Sequence, residues 1–163
     1  MSGYIDLHAH WVPGIDDGVT SVAEGVELLR GLASIGFSRA VATPHMRPGM
    51  FDNSREVIEG AFARMVAECA GATGLPELGV ASEHYLDDVV YQRLLDGKGV
   101  PLPGGQAVLV ELHADIYPVR LADRVLDLRR RKLRPVIAHP ERYAAVADRA
   151  AVLDEALDAG AAL

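Results

Sequence analysis

Five short runs of apolar and β-branched residues each stop at a histidine or a glutamate, and helical patterns separate them. The first run, from Tyr4, closes in Asp6-Leu7-His8-Ala9-His10. Arg39-Ala40-Val41-Ala42-Thr43 leads through Pro44 to His45. Glu77 to Ser82 leads to Glu83, Ala107-Val108-Leu109-Val110 to Glu111, and Pro135-Val136-Ile137-Ala138 to His139. Between the runs lie an amphipathic stretch opened by a capping box, Ser21-Val22-Ala23-Glu24, and closed by Gly36. A second stretch is expected to be capped by Asn53, with Ile58, Phe62, Val66 and Cys69 as its inner stripe. A short helix near Asp87–Leu95, one from Pro118 to Arg131 and one from Arg149 to Ala159, capped by Gly160, complete the pattern. Strands alternating with helices predict an α/β fold with a parallel sheet. At 163 residues the chain is shorter than the roughly 200–250 residues of a closed (β/α) barrel. A sixth strand is expected to open at Ala161. The pattern therefore predicts an incomplete barrel of about five βα units, organised as a single domain over 1–163.

In parallel barrels the chemistry sits at the C-terminal ends of the strands. On a strand His8 and His10 share one face, roughly 6.6 Å apart at about 3.3 Å of rise per residue. Asp6 lies below them, and Ile5, Leu7 and Ala9 fall on the face to be buried. Four of the six histidines thus stand at strand ends with Glu83 and Glu111. Mixed imidazole and carboxylate donors suit Zn²⁺, Mn²⁺ or Fe²⁺. Six such donors exceed what one tetrahedral ion needs, which points to two or more ions and to hydrolysis of phosphate esters. Asp16 and Asp17, beside Gly14 and Gly18, are either turn residues or a further carboxylate ligand. Arg47 and Arg142 follow His45 and His139 and could grip phosphate oxygens. His113 shares a face with Glu111 and is a further candidate; His84, facing opposite to Glu83, is expected to be structural. Cys69 is expected in the core, because Leu75 stands where a cysteine phosphatase loop would need an arginine.

The composition narrows the classes. A net charge of -7 disfavours general nucleic-acid binding, and Arg129-Arg130-Arg131-Lys132 is placed to complement a helix C-terminus. No apolar run approaches membrane-spanning length, no secretory leader is visible, and the lone Cys69 cannot pair internally. These points predict a cytoplasmic protein without membrane insertion.

Taken together, Asp6-Leu7-His8-Ala9-His10, Ile15-Asp16-Asp17-Gly18, Thr43-Pro44-His45, Gly49-Met50-Phe51 and His139-Pro140-Glu141-Arg142-Tyr143 resemble the polymerase-and-histidinol-phosphatase (PHP) superfamily. The likeness is to its bacterial manganese-dependent protein-tyrosine phosphatases of capsule and exopolysaccharide operons. The resemblance implies a distorted (β/α)₇ TIM-like barrel with two or three ions, Mn²⁺ first and Zn²⁺ or Fe²⁺ as alternatives. It implies His8, His10, Asp17, His45, Glu83, Glu111 and His139 as ligands, with Arg142 and Arg47 on the substrate phosphate. The implied partner is a phosphotyrosine protein, the tail of a bacterial tyrosine autokinase. The family's last Asp-x-His pair has no counterpart after His139, so at least one metal position is expected to be incomplete. Two other readings use the same residues: a phosphatase of a small molecule such as histidinol phosphate, and an inactive, truncated metal-binding fragment. An unfinished barrel would also expose a sheet edge open to self-association.

Overall fold

The structure, a computed structural model, describes residues 3–117, 119–148 and 150–163. The expected starts of two helices, Pro118 and Arg149, lie outside the described residues. The chain divides into two compact units, Met1–Ser82 and Glu83–Leu163.

In the first unit, strand β1 (Tyr4–Ala9), helix α1 (Val22–Ser34), strand β2 (Phe37–Ala42), the two-residue strand β3 (His45–Met46), helix α2 (Arg55–Glu68) and strand β4 (Glu77–Val80) follow in order. β1, β2 and β4 form a parallel sheet in that order, with Arg39 opposite Glu77 and Ala42 opposite Val80. Small residues Ala40 and Ala42 on β2 let the helices approach the sheet. Trp11, Leu29, Ala61, Met65 and Cys69 fill the space between, so Cys69 is a core residue as expected. Ser21 caps α1 through its hydroxyl, which accepts from the Glu24 amide at 3.3 Å. Glu24 does not close the box on Ser21; its carboxylate takes the Thr20 amide at 2.7 Å instead.

Three local expectations change here. Ile5 and Leu7 are 52% and 47% exposed. Among the described residues β1 is an edge strand, and of its outward alternates Ala9 alone reaches the core cluster. On α2 the buried side is Ile58, Ala61 and Met65, with Phe62 partly covered, while Val66 stays exposed. The cap of α2 is Ser54, whose hydroxyl accepts from Val57, and Asn53 is turned inward.

In the second unit, strand β5 (Glu83–Tyr85), helix α3 (Asp88–Leu95), strand β6 (Ala107–Glu111), helix α4 (Leu121–Arg130) and strand β7 (Arg134–Ile137) follow. β5, β6 and β7 are parallel neighbours in that order. Val108, Val110, Leu121, Val125, Leu128, Ile137 and Leu153 form the core. Asp87 caps α3 by accepting from the Val90 amide at 2.7 Å. The single helix expected from Arg149 to Ala159 is instead split, among the described residues, into Ala150–Leu153 (3₁₀) and α6 (Asp154–Asp158), and it is preceded by Pro140–Arg142 (3₁₀) and α5 (Ala144–Asp148). Ala162 then pairs in parallel with Val136, at the place of the expected further strand.

Two expected strands are each interrupted. Pro44 has no amide hydrogen to continue the β2 ladder, and β3 starts after it. The run from Glu77 is β4, then Ala81 and Ser82, then β5. At that break the Ser82 hydroxyl donates to the Pro44 carbonyl at 2.8 Å, a side chain replacing a missing backbone partner. No helix among the described residues is long and apolar enough to cross a membrane.

Candidate metal centres

In the first unit the donors gather where β1, β2 and the loop after β1 end. Nitrogen or oxygen atoms of His10, Asp17 and His45 all lie within 4.8 Å of one another. The His45 Nε2 is 3.4 Å from the Asp17 carboxylate, and the His10 and His45 rings are 4.8 Å apart. The His8 ring stands 5.5 Å from that of His10. Phe51 stacks on His45, centroids 5.4 Å apart and planes at 13°, which fixes the rotation of the imidazole.

Asp16 is not a mere turn residue. Its side chain is fully buried, and Oδ2 lies 2.7 Å from His10 Nδ1. The same oxygen accepts from the His45 amide at 3.1 Å, and Oδ1 accepts from the Gly18 amide at 3.0 Å. Burial works against ionisation of Asp16, but the His10 contact and the two amides outweigh it and hold the carboxyl below its ordinary range. A carboxylate on Nδ1 orients the ring and leaves Nε2 for a ligand. Gly18 makes this loop feasible. A Cβ there would meet the His10 carbonyl and lie 2.5 Å from His10 Cβ, so only glycine fits so close to the strand.

In the second unit Glu83 is 1% exposed and its Oε1 is 2.7 Å from His139 Nε2. For both atoms to serve a cation, the His139 imidazole must carry its hydrogen on Nδ1 and leave Nε2 as an acceptor. A Glu111 carboxylate oxygen lies within 4.8 Å of one from Glu83. β6 carries Glu111 beside Tyr85 of β5, and its carbonyl accepts from the Leu86 amide at 2.8 Å. His139 sits at φ 29° and ψ 59°, a left-handed conformation costing a non-glycine residue about 1–3 kcal/mol. Pro140 follows it into a 3₁₀ turn, and Tyr143 holds the bend. The Tyr143 hydroxyl accepts from the Leu112 amide at 3.1 Å and donates to the Ala138 carbonyl at 2.7 Å. Burial pushes this hydroxyl well above the usual tyrosine range, with Glu111, Glu83 and Glu141 adding to it, so it stays a donor.

A family model described as "Capsular polysaccharide synthesis, CpsB/CapC" matches residues 4–163. The chain belongs to the CpsB/CapC family. Tyrosine-protein phosphatase YwqE of Bacillus subtilis is 29% identical over 164 residues, covering 97% of this chain and 62% of YwqE. Tyrosine-protein phosphatase CpsB of Streptococcus pneumoniae is 29% identical over 159 residues, covering 96% of this chain and 64% of CpsB. A solved chain from structures of YwqE and S. pneumoniae CpsB, described as metal-dependent tyrosine phosphatases, superposes with a TM-score of 0.88 at 26% identity. It covers 97% of this chain and 64% of that one. This CpsB/CapC chain thus spans less than two thirds of the length of these relatives, and the α/β architecture with parallel strands is common to it and the solved chain.

The donor chemistry of both units fits a divalent ion. Each set mixes imidazole nitrogen with carboxylate oxygen, and several of the groups are buried. Of the other candidates, His84 is structural as expected. It is fully buried, its Nδ1 hydrogen going to the Leu109 carbonyl at 2.8 Å and its Nε2 accepting from the Val100 amide at 3.0 Å. His113 is exposed, and its Nδ1 accepts from the Asp115 amide at 3.1 Å, a turn contact. Arg47 is half-buried in a tight turn closed by Arg47 and Phe51 backbone bonds of 3.0 and 2.7 Å. Arg142 is exposed at the end of the turn after His139. Sequence reasoning missed the roles of Asn53, Asp16 as an orienting group, and Tyr143. For Asp16 and Tyr143 a signal existed, a second carboxylate and an aromatic within the motifs. Asn53 offered none beyond its helix-start position.

Proposed function

We propose that this chain hydrolyses phosphate monoesters with divalent metal, and that its substrate is phosphotyrosine in protein. The observation that carries the reading is the convergence of His10, Asp17 and His45 donors within 4.8 Å, behind buried orienting groups, in a chain of the CpsB/CapC family. The ligands are His8, His10, Asp17 and His45 from the first unit and Glu83, Glu111 and His139 from the second. Mn²⁺ is the proposed metal. When bound, such ions acidify water and neutralise charge on a phosphoryl group. The chain's own residues do the rest. Asp16 and Phe51 fix the imidazoles of His10 and His45, and Tyr143 fixes the bend that presents His139. Arg142 and Arg47 bind phosphate oxygens in the two-pronged geometry that a guanidinium allows. Tyrosine, with a pKa of about 10, leaves readily enough that no strong general acid is required. The names and the description of the solved relatives support both the metal dependence and the substrate class.

The same reading extends to a single PHP-type domain over 1–163 with a distorted (β/α)₇ TIM-like arrangement, supported by parallel strands in both units and by the family match over 4–163. It places the protein in the cytoplasm, acting on a tyrosine autokinase of capsule or exopolysaccharide synthesis. Edge strand β1 presents Tyr4, Ile5 and Leu7 at 71%, 52% and 47% exposure, which supports self-association through this edge. A strict monomer in light scattering at high concentration would contradict it.

Substrate class is tested by comparing rates on a phosphotyrosyl peptide and on histidinol phosphate under identical Mn²⁺. The expected result is a clear preference for the peptide. Preference for the small molecule would move the assignment to a metabolic phosphatase.

A further inference from the structure

Asn53 precedes the Ser54 cap of α2 and is 6% exposed. Its side-chain nitrogen donates to two carbonyls, Ile15 O and His45 O, each at 2.8 Å. A carbonyl oxygen can only accept, so both partners require the NH₂ end of the carboxamide, and its two hydrogens are both used. Ile15 is the residue before Asp16 and Asp17, and His45 is itself one of the three converging donors. The peptide units on either side of His45 are therefore held: Asp16 takes the amide hydrogen of His45 at 3.1 Å, and Asn53 holds its carbonyl. Asn53 and Asp16 also join the same two segments, the loop after β1 and the strand β3. The segment between His45 and Asn53 is itself closed, by the backbone bonds between Arg47 and Phe51 and by Gly49 donating to Asp52 at 2.8 Å. Nothing in this loop then needs to move for the carboxamide to reach both carbonyls.

We infer that Asn53 is a positioning residue for metal binding, which sets the spacing of His45 against the Asp16–Asp17 loop before any ion arrives. The inference rests on the reading of His10, Asp17 and His45 as ligands. A loop that had to be ordered by the ion would charge the ordering entropy to the binding affinity; a loop fixed by Asn53 does not. Outer groups that orient ligands are worth roughly 10–100-fold in metal affinity, and Asn53 acts one step further out, through the backbone of the ligand.

The test is Mn²⁺ titration of the whole chain, read as unbound Mn²⁺ by electron paramagnetic resonance, beside a thermal melt without metal. Asn53→Leu keeps the size and removes both donors. Asn53→Ser retains one donor and serves if the leucine variant does not fold. Leu29→Ala, in the core of the same unit, controls for lost stability alone. Expected are a Mn²⁺ affinity weakened about 10-fold or more in Asn53→Leu, a smaller loss in Asn53→Ser, and unchanged affinity with a lower melting temperature in Leu29→Ala. Wild-type affinity in an Asn53 variant would overturn the inference. So would fast hydrogen exchange of the His45 amide in the metal-free wild type that slows only with Mn²⁺, a measurement that needs no variant. His45→Ala separates the two levels: if it binds Mn²⁺ as the wild type does, the ligand reading itself fails and takes the inference with it.

Discussion

Replacing Asp16 by asparagine changes one atom in a fully buried side chain, and the surrounding bonds set the cost. Oδ2 faces two donors, the His45 amide and His10 Nδ1, and Oδ1 faces one, the Gly18 amide. The carboxamide introduced by Asp16→Asn would offer one oxygen and one NH₂. With NH₂ toward His10 and His45, at least the His45 amide loses its acceptor. With NH₂ toward Gly18, the turn that brings Gly18 against His10 loses its tie. In either orientation a charge-assisted bond is lost inside the protein, at about 1.5–3 kcal/mol. His10 also loses the carboxylate that orients it, for which a 10–100-fold loss of metal affinity is expected, about 1.4–2.7 kcal/mol. Asp16→Asn should thus lower both the denaturant midpoint without metal and the Mn²⁺ affinity in calorimetry. Asp17 supplies the contrast, since its side chain is 66% exposed and belongs to the converging donors. Asp17→Asn should weaken Mn²⁺ binding while leaving metal-free stability within experimental error. Wild-type Mn²⁺ affinity in Asp16→Asn, or equal behaviour of the two variants, would refute the division into orienting group and ligand.

The same geometry sets the outcome of other changes. Gly18→Ala should abolish high-affinity Mn²⁺ binding, because its Cβ meets the His10 backbone, which cannot rotate away; calorimetry checks this. Tyr143→Phe leaves the Leu112 amide and the Ala138 carbonyl without their shared hydroxyl, and should cost about 1–3 kcal/mol in urea unfolding. His84→Leu breaks two buried bonds at comparable cost but should leave Mn²⁺ affinity unchanged, as expected of a residue that is structural. Burial, followed by the charge of Glu155, raises the pKa of Tyr117, whose hydroxyl donates to the Val152 carbonyl at 2.7 Å. A raised folded pKa gives stability that is complete below the unfolded value of about 10 and is lost as pH climbs above it. The denaturant midpoint should therefore fall above about pH 10, and Tyr117→Phe should flatten that fall.

Where periodicity decides, the sequence is a good guide. The apolar runs that become β1, β2, β6 and β7 locate the donors at or just beyond their ends, because the apolar and β-branched composition that favours a strand is local to it. Where a long-range bond decides, the pattern is silent. The breaks after Ala42 and Val80 depend on Pro44 and on the Ser82 hydroxyl reaching its carbonyl, 38 residues away in the chain. Asn53 reads as a helix cap because caps are local, and its two carbonyl partners lie 38 and 8 residues away. On α2 the expected stripe holds at Ile58 and Cys69 and in part at Phe62, and misses at Val66. At about 100° per residue, Val66 lies roughly 80° from Ile58, at the margin of the buried side, whereas Met65 lies about 20° from it. The flexible thioether of Met65 fills the space under α1 and the sheet that Val66 does not reach. The last segment, split into short turns, packs through α6 on α4, a contact that no window of neighbouring residues contains.

The most direct test of the account is hydrolysis of a phosphotyrosyl peptide by the 163-residue chain, with added Mn²⁺, with chelator, and in His45→Ala and His139→Ala. The account predicts turnover with Mn²⁺, none with chelator, and a loss of activity in both variants that tracks their loss of bound metal. Turnover that survives chelator, or variants that keep wild-type rates, would contradict it.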